Sequence, residues 1–274
     1  MSKSSEARAR RELPPVTISE GDGVRCLHLG SVWVQGAMRI AAPQLIELEY
    51  VQRMLASLLF HPLDDLARGS AVQLGLGAAA ITKFTHKQLR MRTTAVELNP
   101  QVIEVCRHWF KLPRDSARLA VVESDAALWL ATAAPQSVTM LHVDLYDHEA
   151  AAPVLDDEAF YAACHAVLDD GGTLSVNLFG RRASFAASAA RIATAFGADR
   201  LWRLAPTREG NSVVIATRGT GLPSRDVLRE RAATIEQRFG LPARKWLRLL
   251  SPLPAGPEPR PGAEPGHDQG TTSA

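Results

Sequence analysis

The sequence predicts an α/β fold built on a mostly parallel sheet, and three observations support that prediction. Short β-rich runs recur at 72–75 (VQLG), 93–98 (TTAVEL), 119–123 (LAVVE), 138–145 (VTMLHVDL), 173–179 (TLSVNLF) and 212–217 (SVVIAT). Helical stretches lie between most of them, at 79–90, 100–110, 126–133, 157–168 and 183–196. The runs are apolar on both faces, as strands are when helices cover a parallel sheet on both sides.

Residues 1–20 are polar and charged and carry Pro14-Pro15, which predicts a disordered N-terminus. Within 21–60, VRCLHLGSVWVQGAMR (24–39) alternates as a small hairpin does. LIELEYVQRMLASLLF (45–60) then sets Leu48, Val51, Leu55, Leu58 and Leu59 at helical spacing. The α/β unit occupies 61–220. Inside it, Asn99-Pro100 supplies a capping side chain and a proline at the first helical position. Asp156, Asp157 and Glu158 put carboxylates at the positive end of the next helix, and Gly171-Gly172 marks its stop and the turn into the following strand. In 221–250, PSRDVLRERAATIEQRF (223–239) reads as one amphipathic helix. The tail, 251–274, holds six prolines and four glycines in 24 residues and buries too little apolar surface to offset its ordering entropy.

The chain has 274 residues, 46% of them hydrophobic and 22% charged, with a formal net charge of +2. That balance gives no global electrostatic case for nucleic acid or a membrane surface. The arginines between Arg218 and Arg248 are interleaved with Asp226, Glu230 and Glu236, as on a solvated helix face. Cys26, Cys106 and Cys164 lie far apart without metal-ligand spacing, which fits free thiols in a reducing compartment. The basic, polar start lacks an apolar core, and no run approaches the ~18 apolar residues of a membrane helix. A cytoplasmic protein is the resulting expectation.

Gly75-Leu76-Gly77 directly follows a strand and opens a helix, so a ligand can approach the backbone without meeting a Cβ. Glu97, at the end of the next strand, is placed to accept hydrogen bonds from both hydroxyls of a ribose. Gly75-X-Gly77-X-X-Ala80 also satisfies the loose dinucleotide fingerprint, and a glycine turn can serve packing alone. Asp125, after the third strand, is either an acceptor for an adenine amine or a helix cap. Asp144 and Asp147, in HVDLYD after the fourth strand, can hold a cationic amine and help remove its proton; turn chemistry is the structural alternative.

With these motifs in order, residues 24–218 resemble the spermidine synthase (polyamine aminopropyltransferase) family. AVELNPQVIEVCRHWF (95–110) is similar to the stretch carrying that family's ribose-binding acid, and SDA (124–126) resembles its adenine-binding turn. VDLYDHEAAAPVLDDEAFYAACHAVLDDGGTLSVNLF (143–179) follows the family's DxxD, helix and Gly-Gly strand. The resemblance implies a Rossmann-like, class I S-adenosylmethionine-dependent methyltransferase-type fold, with a mostly parallel seven-stranded sheet behind a small N-terminal β-hairpin. It implies Asp144 and Asp147 as catalytic acids. It implies Gly75, Gly77, Glu97, Asp125, Ala126 and Gln35 as donor-binding residues, and Tyr50, Tyr146 and Arg208 on the substrate side. The co-substrate would be decarboxylated S-adenosylmethionine or S-adenosylmethionine, with no tightly bound cofactor, no metal and a polyamine-like acceptor. A homodimer is also implied.

Three positions depart from the family. GLGAAA puts Ala78 where the GGGDG pattern has an acid that binds the aminopropyl amine of the donor. PTREGN (206–211) puts Arg208 where a tyrosine-bearing PTYPSG-like segment is usual. The hairpin has Gly30-Ser31 in place of Asp-Gly. Aminopropyl transfer therefore leads three other readings: methyl transfer from S-adenosylmethionine, a non-catalytic adenosine-ligand-binding role, and nicotinamide chemistry.

Overall fold

Three antiparallel strands open the computed structural model, which describes residues 13–145, 155–179 and 182–253. They are β1 (Val16–Gly21), β2 (Val24–Leu29) and β3 (Gly36–Arg39). The expected hairpin is β2–β3; β1 adds to it from within the segment expected to be disordered, pairing Val16 with Leu29 through to Gly21 with Val24. Its side chains alternate between half-buried and exposed up to Ser19, which supplies one packed face. The polar composition of 1–20 hid that face.

The helix expected over 45–60 is shorter and has two parts. α1 (Glu49–Met54) passes into a tighter 3-10 segment, Leu55–Phe60, buried at every position. After β4 (Ser70–Leu74), the 79–90 helix is likewise reduced to α2 (Ala80–Lys83). A wider turn follows, Phe84–Gln88, in which Leu89 N donates to Phe84 O at 3.1 Å. Next come β5 (Arg92–Glu97), α3 (Pro100–Trp109), β6 (Leu119–Glu123), α4 (Ala126–Thr132) and β7 (Val138–Val143). Asn99 caps α3 by accepting from Gln101 N at 3.0 Å, as the Asn-Pro pair predicts.

α5 (Glu158–Val167) is capped by Asp157, which accepts from Phe160 N at 2.7 Å. β8 (Leu168–Phe179) begins immediately after it, so Gly171-Gly172 does not end the helix. The glycines lie inside the strand, where Gly171 takes φ +83° and the register against β7 shifts between Val138 and Met140. Backbone bonds between Gly171 N and Arg218 O and between Arg218 N and Gly172 O hold this start in the sheet. α6 (Arg182–Phe196), β9 (Leu201–Leu204), β10 (Asn211–Thr217), α7 (Arg225–Phe239), α8 (Ala243–Leu249) and β11 (Leu250–Pro252) complete the chain. β9, α8 and β11 are additions to the expected elements, so 221–250 contains two helices rather than one.

The main sheet has eight strands, one more than the seven expected, in the order β11-β9-β10-β8-β7-β4-β5-β6. β6, β5, β4, β7 and β8 run parallel, whereas β10, β9 and β11 add by antiparallel pairing. From β4 the chain builds outward through β5 to β6, then returns to lay β7 on the other side of β4. Ligands bind at such a reversal in open α/β sheets, beyond the carboxyl ends of the strands. One face is covered by α1, α7 and α8 around Met54, Ile235 and Trp246. The other is covered by α4, α5 and α6 around Leu130, Tyr161 and Ile192. On the exposed arginine face, Asp226 pairs with Arg229 and Glu236 with Arg244. No helix of the described residues is long and apolar enough to cross a membrane.

Candidate active site at the strand reversal

β4 delivers Gly75 and β7 delivers Asp144 to the two sides of the reversal. Asp144 N donates to Leu74 O at 3.0 Å and Gly75 N to Val96 O at 2.9 Å, so both turns hang directly on the sheet ladder. Gly75 has φ +87°, and a Cβ on it would stand 2.2 Å from the Asp144 carbonyl oxygen. Only glycine permits this approach. Gln73 then locks the turn to the helix behind it: Nε2 donates to Gly75 O (2.7 Å), while Oε1 accepts from Thr82 N (3.0 Å) and Thr82 Oγ1 (2.6 Å). The sequence motifs do not single out Gln73, although a polar residue in an otherwise apolar strand signals a buried hydrogen-bonding task.

Glu97 ends β5 beside this turn. Its Oε2 accepts from Leu76 N and its Oε1 from Asn99 N, each at 2.9 Å. Burial pushes its carboxyl above the usual carboxylate range, opposed by the N–H groups of Asn99, Leu76 and Leu98. A carboxylate has about four lone-pair sites, so these bonds leave acceptor capacity for further donors. Asp125 caps α4 through Oδ1, which accepts from Ala127 N at 2.8 Å and Leu128 N at 3.3 Å. Glu97 pairs in register with Glu123, which places Asp125 just beyond the neighbouring strand end. Ala126 is buried at the start of α4.

Asp144 is held through both of its carboxylate oxygens. Tyr50 Oη donates to its Oδ2 at 3.1 Å and Asn177 Nδ2 to its Oδ1 at 2.9 Å. Burial raises its carboxyl above the usual range, and the Asn177 and Tyr50 donors pull the other way. Gln35, Tyr50, Gln73, Leu76, Gly77 and Asp144 share one partly open crevice with a cavity volume of about 20 Å³. Such a space holds about one water. The crevice is tight because β3 lies on the glycine turn: a Cβ on Gly36 would stand 2.4 Å from Ala78 N and 2.6 Å from Ala78 Cβ. A larger cleft of about 460 Å³ lies elsewhere, between β1 and α3 at Val16, Glu104 and Trp109, and contains none of these acids.

Gly75, Gly77, Gln35, Tyr50 and Asp144 are thus brought together, with Glu97 and Asp125 along adjoining strand ends. Arg208 is exposed on the turn between β9 and β10, and Tyr146 and Asp147 lie outside the described residues. Asn177 and Asn211 escape the motifs as well; each is an amide at or inside a buried strand, the same signal as Gln73. No group of His, Cys, Asp and Glu suited to a metal ion occurs among the described residues.

A polyamine aminopropyltransferase of Neisseria meningitidis serogroup A is 30% identical to this chain over 244 residues, covering 88% of the chain and 91% of the relative. The chain belongs to the polyamine aminopropyltransferase family. This is a family of transferases, and the family's enzyme from Chromobacterium violaceum is 32% identical over 240 residues, covering 87% of the chain and 90% of its own length. Among solved structures, a probable spermidine synthase from Corynebacterium glutamicum superposes with a TM-score of 0.67 at 20% identity, over 83% of this chain and 85% of that one. That likeness concerns the fold. No family model matches the chain.

Proposed function

We propose that the protein transfers an aminopropyl group from decarboxylated S-adenosylmethionine to an amine. The observation that carries this reading is the Asp144 carboxylate, held by Tyr50 and Asn177 in the crevice beside the glycine turn. The turn, Glu97, Asp125 and Ala126 are assigned to the adenosine part of the donor, and Gln35 to the donor's reacting end. Tyr50, Tyr146 and Arg208 are assigned to the acceptor side, with Asp147 assisting Asp144.

The chemistry is a displacement at the carbon beside a sulfonium. The acceptor nitrogen forms a C–N bond as the C–S bond breaks, and methylthioadenosine leaves uncharged. An amine with pKa near 10 has to shed a proton before its lone pair attacks. A carboxylate whose pKa is raised by burial is better matched to accept it near neutral pH. Asp144 therefore binds the ammonium, orients the nitrogen and takes its proton, which then passes to solvent. Positioning supplies most of the rate.

Purified protein mixed with decarboxylated S-adenosylmethionine and putrescine is expected to release methylthioadenosine, quantified by liquid chromatography. Asp144→Asn is expected to lower kcat by about a hundredfold or more, the range for a lost general base. No release under conditions where the donor binds would defeat the proposal. Ala78 favours a second reading, methyl transfer, because losing an acid at this position relaxes the preference for a donor that lacks the carboxylate. Calorimetry separates the two: tighter binding of the carboxylated donor supports methyl transfer. Assembly into a homodimer is a further proposal, checked by sedimentation.

A further inference from the structure

Asp144 needs donors facing it, and among the described residues one of the two it has is an amide that could equally present an oxygen. The Asn177 side chain has nearly the same shape in either of two orientations, one placing NH2 against Asp144 and the other placing C=O there. The second would set lone pairs against a buried carboxylate. Among the described residues, a group that selects the first lies on the far side of the amide, where Asn211 Nδ2 donates to Asn177 Oδ1 at 3.2 Å. The Asn211 main chain is fixed at the start of β10, which sets where its amide can reach: its N–H donates to Thr207 Oγ1 at 3.2 Å, and its carbonyl accepts from Thr207 N at 2.8 Å. It stands opposite Phe179 in the β8–β10 register, two residues along the strand from Asn177, so the two amides share a sheet face.

We propose that Asn211, which does not touch Asp144, is a positioning residue that fixes the amide orientation of Asn177 and through it keeps a donor on the Asp144 carboxylate. The inference rests on the assignment of Asp144 as the amine-binding acid, but its geometry stands apart from any activity. Among the described residues, α1 presents Tyr50 to Asp144 as a titratable group, whereas β4 and β8 present Gly75 and Asn177, which do not titrate, and Asn211 of β10 stands behind Asn177. Arg208 and Glu209 are exposed on the turn before Asn211.

The test follows the Asp144 carboxyl by carbon NMR titration, with its signal assigned by its loss in Asp144→Asn, alongside the pH profile of kcat. Asn211→Ser retains a donor and is expected to match the parent within about threefold in kcat. Asn211→Ala removes the donor to Asn177 Oδ1, and Asn211→Asp pulls the NH2 of Asn177 away from Asp144. Both are expected to raise the Asp144 titration midpoint and the acid limb of kcat together. The expected loss in kcat at neutral pH is about tenfold, the scale of one hydrogen bond to a charged group, with the donor's KM little changed. The new carboxylate in Asn211→Asp also acts through space, so the comparison is repeated in an Asn177→Ala background. A shift that persists there in full, or an Asn211→Ala protein that titrates like the parent, overturns the proposal. If the parent releases no methylthioadenosine, the transferase reading fails while the NMR titration still decides the role of Asn211.

Discussion

At the scale of single residues, the departure with the clearest physical meaning is Ala78. It is 3% exposed and lies against Gly36 of β3, so an acid there would be a nearly buried carboxylate. An uncompensated buried charge costs about 3 kcal/mol. Ala78→Asp is therefore expected to lower the melting temperature by roughly 6–12 °C for a domain of this size. Under the proposed function decarboxylated S-adenosylmethionine would bring an ammonium to the same crevice, so it is expected to raise the melting temperature more in Ala78→Asp than in the parent. Differential scanning fluorimetry with and without the donor checks both statements. An unchanged melting temperature would mean that position 78 is solvated and that its methyl group carries no lesson about the donor. Glu97 and Asp144 show why single acids were legible: each ends an apolar run, where a carboxylate needs a reason. Their partners were less visible, because Gln73, Asn177 and Asn211 act only through residues distant in sequence.

At the scale of elements, the glycine turn is the part on which the others depend. Gly75→Ala introduces a Cβ 2.2 Å from the Asp144 carbonyl in a backbone with φ +87°. The strain and the forced separation of β4 from β7 are expected to cost about 3 kcal/mol and to abolish donor binding. Gly221→Ala is the matched control, since a Cβ there would meet no heavy atom within 4 Å and the backbone φ is not positive. It is expected to leave stability within about 0.5 kcal/mol of the parent, and urea unfolding of the two variants makes the comparison. The central parallel strands were legible because a two-sided apolar run has few other uses. β1, β9 and β11 were not. The four residues of β9 and three of β11 are too short for periodicity to register, and β1 sits in a polar segment that owes its order to pairing with β2. Helix lengths were overstated at α1 and α2 for a related reason: apolar spacing persists through the tighter Leu55–Phe60 and wider Phe84–Gln88 turns, and it does not distinguish those turns from a regular helix.

At the scale of the whole molecule, the core on the α1 side holds two histidines that tie its integrity to pH. His142 on β7 is fully buried, and neither ring nitrogen makes a hydrogen bond of good geometry. His61 is 5% exposed and shares its Nε2 with Thr173 Oγ1 at 2.9 Å. Burial pushes both down to about 4 from an ordinary 6.5, with the positive charge of Arg231 adding to the effect on His61. Between pH 6.5 and about 4 the unfolded chain takes up protons on these residues and the folded chain does not. Their contribution to stability is therefore complete above pH 6.5 and falls as pH drops through that window. At about 1.4 kcal/mol per pH unit, each histidine accounts for roughly 3 kcal/mol of loss. The raised carboxyls of Glu97 and Asp144 act in the opposite sense, binding protons in the folded state first, so the net slope alone is ambiguous. The difference between parent and His142→Leu isolates one histidine. That variant exchanges a ring without a hydrogen bond of good geometry for an apolar group of similar volume, so it is expected to match or exceed the parent's stability at pH 8. From pH 6.5 to 4 it is expected to take up about one proton fewer on unfolding, read as a shallower fall of the urea-unfolding free energy. Equal slopes in the two proteins would place a charged or hydrated His142 inside the folded sheet and refute the dry core described here.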